Sequence, residues 1–154
     1  TYNMESKTNK KAFFNYEILE KFQAGLKLIG SEVKSIQNNR YSLLGAYVSM
    51  RGGEAWLINA DIAPYQPKNI RFAYDPQRPR KLLLTKKELK YLLGKNQEKG
   101  LTIVPLRVYN TRGQIKLEIA LAKGKSKADK REVLKKRSAE REVRQTLREK
   151  TASF

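Results

Sequence analysis

The chain has 154 residues, with 33 Lys or Arg against 15 Asp or Glu, and its formal net charge is +18. That length holds one domain with a genuine core, and a positive excess this large points to a polyanion as partner. With no His and no Cys, Ser-His and Cys-His catalysis, thiolate metal sites and disulfides are excluded, which fits a reducing, cytoplasmic setting.

Residues 1–11 are polar and basic; they are expected to be mobile and lack the apolar core of a secretion signal. Tyr16–Phe22 reads as a strand with Tyr16, Ile18 and Phe22 on one side. Ala24-Gly25 is a turn signal, and Leu26, Leu28 and Ile29 continue as a second strand of a hairpin. Gly30-Ser31 opens a short helix over 32–39, with Ser31 as its N-cap and Glu32 near the positive end of the helix dipole. Ala46–Met50 and Glu54–Ile58 flank Arg51-Gly52-Gly53, whose glycines suit the positive φ angles of a tight hairpin. Trp56 is expected in the core; stacking on a base is its alternative role.

Residues 63–80 contain Pro64, Pro67, Pro76 and Pro79 and read as a long loop. Its Lys68, Arg71, Arg78 and Arg80 form a candidate phosphate-contacting rim. Thr85 and Glu88 match a capping box, with Leu89, Leu92 and Leu93 as the buried face of the helix that follows. Leu101–Tyr109 is a strand whose Pro105 predicts an edge or a bulge. After the turn at 110–113, Ile115, Leu117, Ile119 and Leu121 alternate inward against Lys116, Glu118 and Ala120.

From residue 123 the pattern changes. Over 125–150 there are eleven Lys or Arg and five Asp or Glu. Ala139, Val143 and Leu147 would form one thin stripe on a helix, too narrow for a core face. Two readings stay open: a tail that is disordered alone and folds on a polyanion, or a solvated surface helix. The fold class is mainly β with helices. About six antiparallel strands favour a closed or nearly closed barrel, a shape that commonly binds oligonucleotides.

Other functions find little to rest on. No apolar run approaches the roughly 20 residues of a spanning helix, so no membrane partner is expected. Gly124-Lys125-Ser126 resembles the end of a phosphate-binding loop, but the required upstream Gly is Ile119, within a strand. Asp61, Asp75 and Asp129 are isolated from other acids, so a carboxylate-metal nuclease is not expected, and neither cofactor nor metal is called for. A structural ribosomal protein with a basic rRNA-binding extension remains the alternative to an RNA-binding factor.

Five segments in order resemble small protein B, the SsrA-binding protein family. They are Asn9–Ala12 followed by Tyr16, Gly30–Ser35, Asp75–Leu84, Gly100–Leu106 and Gly124–Arg131. The resemblance implies an OB-like six-stranded barrel over 12–122 with flanking helices. It also implies a basic tail over 123–154, disordered when free and helical on the ribosome. It further implies a monomer that binds the tRNA-like domain of transfer-messenger RNA (tmRNA) and acts without catalysis. The partners implied are the small ribosomal subunit and its 16S rRNA in the 70S ribosome, and indirectly, through the RNA, elongation factor Tu and alanyl-tRNA synthetase. Asn9, Lys10, Lys11, Phe14, Tyr16, Gln23, Glu32, Lys34, Arg78, Arg80 and Lys81 fall to the RNA-binding barrel. Gly124, Lys125, Lys127, Asp129, Lys130, Arg131, Lys135, Lys136, Arg137, Arg141, Arg144 and Arg148 fall to the tail, which would probe the empty mRNA channel and decoding centre. Some positions depart from the family pattern. Gln23 stands where Glu is usual, Lys10 for a frequent Arg, Phe14 for a frequent His, Ser126 for a usual Lys, and Ala128 for a frequent His or Tyr.

Overall fold

The computed structural model describes residues 7–66 and 73–152. Lys68 and Arg71 of the expected rim lie outside the described residues. Chain and tail divide after Gly124 into two units, 1–124 and 125–154, and each is described by itself.

In the first unit, α1 (Lys10–Asn15) leads into β1 (Tyr16–Leu26), followed by α2 (Gly30–Gln37) and β2 (Tyr41–Ser42). Then come β3 (Tyr47–Arg51), β4 (Glu54–Ile58), β5 (Asp61–Ile62), β6 (Arg80–Leu83), α3 (Lys86–Asn96), β7 (Leu101–Thr111) and β8 (Gln114–Gly124). Six strands form one antiparallel sheet in the order β3-β4-β6-β1-β8-β7, and β2 pairs with β5 beside it. The sheet curls until β3 approaches β7, but among the described residues no ladder joins them. The barrel is therefore OB-like and left open at that seam.

Two hairpins follow the sequence closely. Gly52 and Gly53 take φ +60° and +76° between β3 and β4, and Arg112 and Gly113 take +50° and +77° between β7 and β8. Both pairs give the twist that suits two-residue hairpins. Pro105 sits on the edge strand β7 at a register shift between Pro105 and Arg107, as a residue without an amide proton requires.

Three expectations are corrected. Ala24-Gly25 is no turn: β1 runs through it, because Ala24 is fully buried and Gly25 pairs with both Leu83 and Lys116. Ser31 is not the cap of α2. Ile29 holds that place, and the Glu32 side chain accepts its amide at 3.0 Å. Residues 7–11 are tied down rather than free. The Asn9 amide donates to Leu106 O at 2.7 Å, its side chain to Pro105 O at 2.9 Å, and Asn9 caps α1 by accepting from Ala12 N.

α1 explains a further difference. The inner faces of the strands bury Leu57, Leu82, Ile103, Leu117 and Ile119 around Leu92 of α3. A second, smaller core lies on the opposite side of β7 and β8, where Ala12, Val104, Leu106, Ala120 and Ala122 pack together. Ala120, expected outward, is wholly buried because α1 covers that face. Trp56 is corrected the other way. It is half-buried and outside both cores, across from Ser49 and Lys81 on the outer face.

The second unit is one helix, α4 (Lys127–Ala152). Ser126 and Asp129 form a reciprocal cap: Asp129 N donates to Ser126 Oγ at 3.2 Å and Ser126 N to Asp129 Oδ2 at 3.2 Å. Asp129 is thus the return partner of the Ser126 cap. The Ser126 hydroxyl and amide bonds hold its carboxyl below the usual range. Leu134, Val143 and Leu147 are all more than half exposed, so the thin stripe is no core face. Strong helix formers and pairs such as Glu140–Arg144 at 3.9 Å make the segment helical without one.

Candidate nucleic-acid interface

Strand parity sets the outer face of the large sheet. Counting from the Gly25–Leu83 and Gly25–Lys116 pairs, the outward residues are Gln23 and Gly25 on β1, Lys81 and Leu83 on β6, Trp56 on β4, and Lys116 and Glu118 on β8. Leu83 is 51% exposed there, a large apolar side chain on an open sheet surface. A Cβ added at Gly25 would meet Leu83 Cβ at 3.1 Å, a tight contact that would push the Leu83 side chain aside by a few tenths of an ångström. Around this apolar centre stand Lys21, Lys81 and Lys116, with Arg107 stacked 4.7 Å from the Tyr109 ring on β7. Glu118 is spanned by Arg107 at 3.4 Å and Lys21 at 4.0 Å, and Glu54 sits 3.7 Å from Lys81. Cations with an aromatic and an apolar centre on an open β-surface are what single-stranded and looped RNA binds.

The residues singled out from sequence fall in several places. Gln23 and Lys81 are on this outer face. Asn9, Lys11 and Tyr16 line a cleft of about 400 Å³ with Gly45, Ala46 and Tyr47, where α1 meets the β2–β3 connection. Lys10 lies in the adjoining cleft with Lys7, Tyr41 and Leu44. Phe14 is half-buried on α1. Lys34 is exposed on α2, its ammonium 5.4 Å from the Tyr65 ring. The tail residues Gly124, Lys125, Lys127, Asp129, Lys130 and Arg131 bracket the start of α4. Lys135, Lys136, Arg137, Arg141, Arg144 and Arg148 follow along it, exposed.

Glu32, Arg78 and Arg80 come together in a different role. Glu32 is 1% and Arg80 0% exposed, so neither is presented to a surface ligand. Arg80 Nε donates to Glu32 Oε2 at 2.7 Å, Nη1 to Ala60 O at 2.6 Å and Nη2 to Tyr74 Oη at 3.0 Å. Arg78 closes on the other carboxylate oxygen. Tyr74 Oη reaches Ile62 O at 2.9 Å and Glu32 Oε2 at 3.2 Å. Burial pushes the Glu32 carboxyl up, but the Ile29 amide, Arg78 and Arg80 outweigh it and hold it below the ordinary range. Burial and the Glu32 charge together push Tyr74 up to about 12. The direct-contact expectation for Glu32 and Arg80 is therefore corrected: they join α2 to the start of β6 from inside. Arg78, part-exposed, is the member of the set that reaches solvent.

Leu83, Lys116, Tyr109 and Arg107 were not found from sequence, and Trp56 was singled out there with base stacking only as its alternative role. One signal existed for Leu83. In Leu82-Leu83-Leu84 on a strand, alternation must turn the middle residue outward when Leu82 is buried.

A family model described as SmpB protein matches residues 6–149. The chain belongs to the SmpB family. It is 54% identical to the SsrA-binding protein of Sulfurihydrogenibium sp. (strain YO3AOP1), covering 93% of each chain. It is also 52% identical to that of Persephonella marina (strain DSM 14350 / EX-H1), covering 88% of this chain and 89% of the relative. A solved structure described as "tmRNA-SmpB: a journey to the center of the bacterial ribosome" matches with a TM-score of 0.65 and 44% identity. That match spans 84% of this chain and 94% of the other. The open six-stranded sheet with flanking helices is thus the SmpB fold.

Proposed function

We infer that this chain binds transfer-messenger RNA and serves trans-translation, the rescue of stalled bacterial ribosomes. The observation that carries this is likeness at 44% identity, over most of both chains, to the SmpB protein of a tmRNA–ribosome structure. The outer sheet face around Gln23, Lys81 and Leu83 is the surface proposed to hold the tRNA-like domain. Its charge, its stacked Arg107–Tyr109 pair and its exposed leucine support that placement. The clefts beside α1, with Asn9, Lys10, Lys11 and Tyr16, are a second RNA-contacting region of the barrel. Glu32 and Arg80 act as positioning residues that hold the loop bearing Arg78. The tail from Gly124 through Arg148 lies along the vacant mRNA channel and decoding centre, so that mRNA already in the channel excludes it. The protein acts as a monomer in the cytoplasm, without catalysis, and reaches elongation factor Tu and alanyl-tRNA synthetase through the RNA.

Sequencing the RNA that co-purifies with the tagged full chain tests this reading. One dominant species with a tRNA-like end is expected. Ribosomal RNA in equal proportion from every ribosome would favour a structural ribosomal protein and overturn the reading.

A further inference from the structure

The barrel carries a groove that neither the outer sheet face nor the α1 clefts account for. It lies between β1 and α3, encloses about 670 Å³, and is walled by Phe22 and Tyr91. The two rings are 6.1 Å apart and tilted by 47°. Tyr91 is 38% exposed. Its hydroxyl donates to Glu20 at 2.7 Å, which engages the polar tip, and the residue lines the groove. Gly94 forms an open part of the wall, since an added Cβ would meet nothing within 4 Å.

The rim is cationic. Lys87 and Lys90 line it, and among the described residues neither has a carboxylate partner. Of the acids there, Glu98 is taken by Lys95 at 3.1 Å and Glu88 by the Thr85 cap. Lys86 and Lys87 also occupy the first two positions of α3, at the positive end of the helix dipole, where a cation is unfavourable. Cations kept where the helix disfavours them, beside an aromatic wall of nucleotide size, are explained by a ligand that carries a phosphate and a ring.

We propose that the β1–α3 groove takes one unpaired nucleotide of the bound RNA, its base against Tyr91 and Phe22 and its phosphates on Lys87 and Lys90. The proposal rests on the RNA-binding reading and adds a site to it. Aromatic walls accept any base face, so the contact adds affinity with little choice of base.

The test measures the affinity of the full chain for the transfer-messenger RNA at several salt concentrations. Gly94→Leu fills the groove and improves helix propensity, so it leaves the fold intact. Together with Tyr91→Ala it is expected to weaken binding about tenfold, with Tyr91→Phe close to the parent. Lys87→Gln with Lys90→Gln is expected to make the salt slope shallower by about one to two units. Ultraviolet crosslinking of the parent complex should join a nucleotide to a peptide containing Phe22 or Tyr91. Parent affinity and slope in Gly94→Leu and in the double lysine variant would overturn the proposal, while an accompanying loss in Leu83→Glu would leave the RNA-binding reading standing. Normal RNA binding with weakened ribosome association would assign the groove to a protein side chain and overturn it too.

Discussion

Glu32 in the barrel and Glu140 in the tail each face an arginine, yet the two pairs do different work. Glu32 and Arg80 are wholly buried, and every oxygen of the carboxylate is spoken for by Ile29, Arg78, Arg80 or Tyr74. Glu140 and Arg144 stand 3.9 Å apart with more than half of each side chain in water. A buried charge has no solvent to fall back on, so its partners fix one geometry. An exposed pair is screened and replaceable. The barrel therefore uses opposite charges to hold a shape, and α4 spends most of its cations on the outside, where a polyanion can reach them.

Cutting the chain after Gly124 breaks the comparison most sharply. The barrel keeps its own cores, so tmRNA binding should persist, whereas peptide tagging on stalled ribosomes should fall to background. A truncated chain that no longer binds the RNA would end the division of labour between the two regions. Next in size is Glu32→Gln, which leaves Arg80 buried without its counter-ion and should cost about 3–5 kcal/mol of barrel stability in urea unfolding. Arg144→Gln in α4 should cost roughly 0–0.5 kcal/mol by the same measurement.

Acid sharpens the same contrast. The Glu32 carboxyl is held below its ordinary value of 4.5. The unfolded chain therefore takes up that proton first as pH falls. The stabilising contribution is complete above about 4.5 and is lost on descending through the folded-state value. Melting temperature against pH should drop there in the parent and run flatter in Glu32→Gln. Asp129 has the same sign of shift, so a peptide over 125–152 should lose helicity in acid, read by circular dichroism, and Asp129→Asn should not. The smallest signature is the salt response of the full chain on tmRNA. Neutralising five or more phosphates gives a log–log slope of about −4, and removal of the tail should make it shallower.

Much of this was written locally. The hairpin at Gly52-Gly53, the Thr85–Glu88 cap, the bulge at Pro105 and the inward set from Ile115 to Leu121 depend on residues a few positions apart, so the chain sequence sufficed. The run of basic residues after Lys123 and the five ordered segments of family likeness were equally legible. Where neighbours in space were distant in sequence, reading failed. Ala24-Gly25 has the composition of a turn, and only pairing with Leu83 and Lys116, far along the chain, makes it strand. Arg80 has the composition of a phosphate ligand, and only Glu32 and Tyr74 arriving around it make it internal.

By itself the sequence determined the strand periodicities, the tight turns, the helix start marked by Thr85, and the excess of positive charge that points to a polyanion. Tertiary structure decided which side of each strand faced water: Trp56 and Leu83 out, Ala120 in. It also decided which charges were partners within the fold and which remained for a ligand. The physical reason is that burial and the low dielectric it brings are set by contacts between residues far apart in the chain, which no local pattern records.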